Sequence, residues 1–261
     1  MANEFVLHGR DQKPMQKLSM WPRSRYEMEW EIDGQARALA RTVFRFAAAQ
    51  VPNEIGELLT THRLTRGLKF TEGWPEITTP LPPLEVSVEK NQPGHKTHLV
   101  LRGDHKGSRF TACVDARINE VWRGKPLMDV ASQARRLAKR DPGALERLDF
   151  LMRLIFPPFA SPEQQPWCDF DYELLTGVAS AVLQANHDGA AFALFIPFEF
   201  SPRESTSQSA REQANSARLI EVLCGTPLGD AGYLHGPVKL SHPDYLPDGV
   251  QLLVGKVNCY R

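Results

Sequence analysis

A chain of 261 residues, 42% hydrophobic and 24% charged, has the profile of a folded globular protein and excludes a disordered one. It is long enough for one large domain with a substantial core. Lys plus Arg equal Asp plus Glu at 31 each, so no bulk charge advertises nucleic acid, and a DNA-binding role needs a local basic patch.

The first 28 residues, with "DQKPMQK" and "WPRSRYEME", show no clear period and read as an N-terminal arm; residues 29–261 read as a single domain. The start lacks the continuous apolar stretch of a signal peptide, and no later run is long enough to span a membrane, so a cytoplasmic protein is expected. Cys113, Cys168, Cys224 and Cys259 are widely spaced and read as free thiols in a reducing compartment. From Trp30 to Ala49, Leu39, Val43 and Phe46 recur at helical spacing. "VPNEIGELL" restarts the chain as a short helix with Pro52 in its first turn. "TEGWPEITTPLPP" reads as a Pro-rich connection.

A strand-rich block follows. In "LEVSVEK" Leu84, Val86 and Val88 alternate with Glu85, Ser87 and Glu89. "NQPGHK" is a turn, "THLVLRG" a strand, "DHKGS" a second turn, and "FTACVDARINEVWRG" the third strand of an antiparallel meander. That last strand sends Phe110, Ala112, Val114, Ala116 and Ile118 to one face and Thr111, Cys113, Asp115 and Arg117 to the other. An acid and a base two residues apart on one face is the layout of a metal-dependent nuclease core.

Next, "MDVASQARRLAKR" and "GALERLDFLMRLIF" are predicted helices, the second with a core stripe of Leu145, Leu148, Met152 and Ile155. "PPFASPEQQPW" breaks the chain. "DYELLTGVASAVLQAN" is a helix feeding "AAFALFIPFEF", apolar enough to be a buried central strand. "SPRESTSQSAREQANS" reads as an exposed loop running into the helix "ANSARLIEVLCG", and "GVQLLVGKVNCYR" reads as the last strand. Helices, a meander, then helix and strand predict an α/β sandwich around one sheet.

This order resembles the PD-(D/E)XK nucleases, and most closely an uncharacterised bacterial family of restriction-endonuclease-like proteins. The resemblance runs from about Trp30 to Tyr260 through "VPNEIGELL", "HKTHLVLRG", "CVDARINEVWRG", "YELLTGVASAVLQA", "AFALFIPFEFS" and "LLVGKVN". It implies a restriction-endonuclease-like mixed sheet flanked by helices. The strand acid that opens the family's metal site falls on His98, the Glu of its Glu-x-Lys on Asp115, and the Lys on Arg117. Glu120 matches an acid the family often has, and the steadying Gln of the following helix falls on Glu173.

These departures change the chemistry. Mg²⁺ wants oxygen ligands in near-octahedral geometry, whereas the imidazole of His98 suits softer divalent ions. Arg117 cannot deprotonate at neutral pH and so cannot act as general base, though its fork can hold phosphate. The expected function is a catalytically degenerate nuclease-like subunit that binds nucleic acid or a protein partner, with bacterial defence as the setting the resemblance suggests. No cofactor is expected. One alternative is an active nuclease using Mg²⁺ or Mn²⁺, its site rebuilt from Asp115 with Glu89 or Glu120 and with Arg117 on phosphate; His98 is a further candidate metal ligand. Another is a structural subunit of a larger assembly without nucleic acid.

Each sharp reading has a bland competitor. Arg135, Arg136, Lys139 and Arg140 can grip phosphate, but at helical spacing they also make a solvated face. Trp74, Trp122 and Trp167 can stack on bases or simply pack the core. His95, His98 and His105 cluster in sequence in or beside turns, without the helical spacing of a zinc site. Glu199 and Arg203 follow the apolar strand and line a cleft or merely the surface. "GTPLGDAG" lacks the Lys-Ser/Thr of a phosphate loop and is discarded as a nucleotide site.

Overall fold

The computed structural model describes residues 6–7, 53–82, 94–118, 125–140, 143–201, 217–225 and 232–260. The predicted helix at Trp30–Ala49, the strand at 84–89 with Glu89, and Glu120, Trp122 and Arg203 lie outside them. So does the arm, apart from Val6–Leu7, which forms a short strand, β1, instead of loop.

The Pro-led segment becomes helix α1, Asn53–Thr60. The segment expected to be a Pro-rich connection is instead strand β2, Lys69–Pro80. Proline costs a strand only its N–H, and β1 covers β2 only at Glu72 and Gly73. Beyond them, Pro75 and Pro80 still pair with β3, Gly94–His105, opposite Leu99 and Gly94. The expected turn at "NQPGHK" is corrected in its last three residues, which already belong to β3. A two-residue turn then leads to β4, Ser108–Ile118. Lys106 and Gly107 both take positive φ there, 51° and 78°, the twist a tight hairpin of this length demands.

Helices α2, Leu127–Leu137, and α3, Gly143–Ile155, follow as predicted. Leu148, Met152 and Ile155 are buried, but Leu145 is exposed and drops out of the expected core stripe. Helix α4, Tyr172–His187, delivers the chain to β5, Phe192–Ser201. Residues 217–224 form helix α5. Strand β6, Leu234–His242, has no counterpart among the predicted elements, because "LHGPVKLSH" carries Gly and Pro where alternation would otherwise be read. The last strand divides into β7, Leu246–Gly255, and β8, Val257–Tyr260, which continue in one register along β5 on either side of Lys256.

These strands form one mixed sheet in the order β1-β2-β3-β4-β5-β7-β6, with β8 also on β5. The meander β2–β3–β4 is antiparallel, whereas β5 runs parallel to β4, β7 and β8. A parallel return needs a crossover, and helices α2 to α4 supply it. One face packs α1, through Ile55 and Leu58, against Leu101, Ala112, Val114 and Ile196. The other packs α2 to α5 against Val100, Cys113, Ala193 and Phe195. The face of β4 that carries Thr111, Cys113 and Asp115 is therefore covered by protein; all three are buried.

Candidate functional site

The β3–β4 ladder ends at Leu99 opposite Val114. One residue further, His98 and Asp115 face each other across the two strands on the α4 side. His98 Nδ1 lies 3.7 Å from Asp115 Oδ1. The structure thus brings together two residues that the sequence singled out. It adds one placed beside a turn: His95 Nε2 is 2.6 Å from Asp115 Oδ2.

Strict alternation would send His95 and His98, three residues apart, to opposite faces. Both strands slip phase here. Trp74 and Ile77 of β2 both pack in the helix-covered core, although three residues apart. On β3, Val100 lies in that core, and Thr97 Oγ1 lies 3.3 Å from Ser180 Oγ on α4. The slip is what allows two imidazoles from one strand to reach a single carboxylate.

Helix α4 closes the site. Asp171 caps its start, accepting from the N–H groups of Glu173 at 2.8 Å and Leu174 at 3.3 Å. An isolated bridge between Pro126 and Asp171 ties that cap to the start of α2. Gly177 then brings the helix close. A Cβ there would sit 2.6 Å from the Phe195 ring and 3.1 Å from Asp115 Oδ2. Thr176, one residue earlier, lies with Oγ1 3.0 Å from His95 Nδ1, and its hydroxyl donates to the carbonyl of Glu173 at 2.9 Å. Glu173, expected to steady the site, contributes through this carbonyl. The carboxylate accepts from Nε2–H, and the ring is held between Asp115 and Thr176.

Threonine, histidine and aspartate in series resemble a nucleophile relay, but Thr176 is buried and its proton is held within its own helical turn. The series fixes a geometry. Burial pushes the Asp115 carboxyl up, but the charge and hydrogen bond of His95, followed by those of His98, outweigh it and hold the group well below the usual carboxylate range. Next to it, burial and then the charge of Asp115 push the Cys113 thiol far up, so this sulfur is no nucleophile.

The seam continues along α4 at four-residue spacing, the helical repeat that stacks side chains on one face. After Thr176 and Ser180 comes Gln184, whose Oε1 accepts from Thr79 Oγ1 at 3.3 Å. Asp188, just past the helix, accepts from Arg102 Nε at 2.6 Å, Thr111 Oγ1 at 2.9 Å and Gln184 Nε2 at 3.1 Å. Arg102 lies over the Trp74 ring, 4.0 Å from its centroid, which makes Trp74 a core residue and not a stacking platform. Trp167 packs against Phe156 and Phe170 in the same way.

A hard metal ion fits these residues poorly. Asp115 is the one carboxylate among the described candidates, one of its oxygens is engaged by His95, and the imidazole of His98 suits a hard ion poorly. Arg117 is the register partner of Glu199 on β5. Arg135, Arg136, Lys139 and Arg140 lie at the end of α2 and beyond it, with Arg135 paired to Glu163.

One family model, Domain of unknown function (DUF6946), matches residues 15–259. No curated protein and no solved structure matches.

Proposed function

We propose that this chain, which belongs to the DUF6946 family, is a restriction-endonuclease-like protein that binds nucleic acid or a protein partner and has exchanged its PD-(D/E)XK centre for a closed ion pair. The fold reading is supported by the antiparallel meander β2–β3–β4, the helical crossover and the parallel β5, with Asp115 near the end of the third strand of the meander. A bacterial-defence role rests on the resemblance alone, since fold does not fix function.

The observation that carries the loss of chemistry is the 2.6 Å contact from His95 to Asp115 beneath α4. A nuclease of this type stabilises developing charge with hard metal ions and needs a group to activate water. Here the one carboxylate at the site among the described residues is engaged by an imidazole ring, and Arg117 stands where the resemblance expects a lysine. Removing one member of a cooperating catalytic set abolishes most of the rate. Binding falls to the cations at the end of α2, Arg135, Arg136, Lys139 and Arg140, and should weaken steeply as salt rises.

The test is incubation of the purified protein with plasmid and single-stranded DNA in Mg²⁺ and in Mn²⁺, beside Asp115→Ala. No cleavage is expected, with salt-sensitive retention of DNA in a gel-shift assay. Cleavage abolished by Asp115→Ala would overturn this and establish the active-nuclease alternative. That second reading has one observation in its favour: Asp115 is held ionised, and its Oδ1 has no hydrogen bond within normal distance among the described residues. Failure to retain DNA even at low salt would leave the protein-partner reading.

A further inference from the structure

The connection between α3 and α4, residues 156–170, is a loop tied to helix α2 at both of that helix's ends. Near the start of α2 the rings of Phe156, Trp167 and Phe170 pack together, with centroids 5.1, 5.2 and 6.4 Å apart. There the carbonyls of Phe170 and Cys168 accept the N–H groups of Leu127 at 2.8 Å and Met128 at 3.0 Å. At the other end Glu163 pairs with Arg135 in the last turn of the helix. The loop therefore runs out along α2 and returns.

On the outgoing limb the N–H of Ala160 donates to the carbonyl of Pro157 at 2.9 Å, closing a β-turn with Pro158 and Phe159 at its centre. Proline at the first central position presets the backbone of such a turn. Phe159, at the second, is 79% exposed, more than any other large hydrophobic residue described. A lone exposed apolar side chain is ordinary. This one stands on a preset turn beside a cationic helix end. Arg135, Arg136, Lys139 and Arg140 are all exposed there. Four residues separate Phe159 from Glu163, the partner of Arg135, so chain reach keeps the two within about 14 Å.

We propose that this surface binds a single-stranded polynucleotide, with a base stacked on Phe159 and phosphates on Arg136, Lys139 and Arg140. The inference rests on the nucleic-acid reading above and narrows it to one strand form. An exposed ring accepts any unpaired base, and neighbouring cations track the backbone. The bases of a duplex are already stacked on one another, out of reach of a side chain on a turn. An anionic membrane would attract the same cations, but it also needs a continuous apolar face. Helix α2 turns Leu127, Ala131 and Ala134 into the core. Its exposed Met128 and Leu137 lie about two and a half turns apart, on opposite sides.

The experiment is fluorescence anisotropy of the full-length chain with a labelled strand of about 20 nucleotides, as DNA and as RNA, and with the matching DNA duplex. At least one single strand should bind more tightly than the duplex. Phe159→Leu keeps an apolar side chain but removes the ring; it should raise half-saturation for that strand about tenfold and leave the duplex unaffected. Phe159→Trp should retain the affinity. Arg136→Gln with Lys139→Gln should reduce the slope of log affinity against log salt by about 1.4, the loss of two single-strand phosphate contacts. Equal binding of strand and duplex, or unchanged affinity in Phe159→Leu, would overturn the inference and leave the broader nucleic-acid reading standing. Binding to none of the three would overturn both. Tighter binding to phosphatidylserine vesicles than to either strand would overturn the assignment to a polynucleotide.

Discussion

Burial alone would raise the pKa of Asp115, and two imidazoles from one strand reverse that. Because the folded carboxyl titrates below its unfolded counterpart, Asp115 contributes stability at any pH above the unfolded value of about 4. The contribution is lost as pH falls from there toward the folded value. Asp115→Asn should lower stability at neutral pH by about 1–3 kcal/mol, since it weakens the charge-assisted hydrogen bond from His95 to a buried carboxylate. It should also flatten the decline of the urea midpoint in the acid range; an acid limb as steep as in the unsubstituted protein would mean that other carboxylates control it. Asp115 was legible from alternation along β4, whereas its pairing with His98 was implied by the resemblance. His95 was not legible, because "NQPGHK" carries every mark of a turn and the phase slip that brings His95 onto Asp115 belongs to two strands at once. Thr176 left a fainter signal: with Ser180, Gln184 and Asp188 it repeats every four residues through an otherwise apolar segment, a spacing that could have been read as a polar seam facing the sheet.

Helix α4 gains its close approach from a residue that is poor for helices. Glycine costs about 1 kcal/mol relative to alanine in a helix interior, so propensity alone predicts that Gly177→Ala stabilises. The 2.6 Å approach to the Phe195 ring predicts the opposite. Overpacking of this kind costs about 1–3 kcal/mol, and equilibrium urea denaturation should show a net loss together with displaced resonances of Phe195 and His95. A net gain would mean that the helix can shift away from the sheet at little cost. The β3–β4 hairpin offers the converse case. Lys106 holds φ of 51°, a left-handed conformation that asparagine adopts more readily. Lys106→Asn should therefore raise stability by about 0.5–1 kcal/mol, read as a higher denaturation midpoint with unchanged slope. The sequence located this turn because Lys-Gly between two alternating runs has few other uses. It carried no comparable sign of β2, where two prolines masked a strand that sits next to the sheet edge.

At the scale of the molecule, the sheet is assembled from segments distant along the chain. Strand β5 joins β4, some eighty residues earlier in register, on one side, and β7 and β8, some sixty residues later, on the other. Such non-local parallel pairing folds slowly, because loop closure precedes the contacts that stabilise it. The central run "FALFIPFEF" is buried in the finished protein from Ala193 to Phe198. A chain ended after Tyr245 would lack both β7 and β8 and leave one side of this apolar strand unpaired. It should partition to the insoluble fraction and bind a β-specific dye, whereas soluble, monomeric recovery would show that the strand is protected in another way. The same vulnerability has a temporal form. On the ribosome, β5 has emerged well before its last two neighbours are made, and at about 5–20 residues per second that interval lasts several seconds. For that time the most aggregation-prone strand of the nascent chain has one open flank, so the yield of native protein should depend on translation speed through residues 202–245 and on chaperone occupancy during that window.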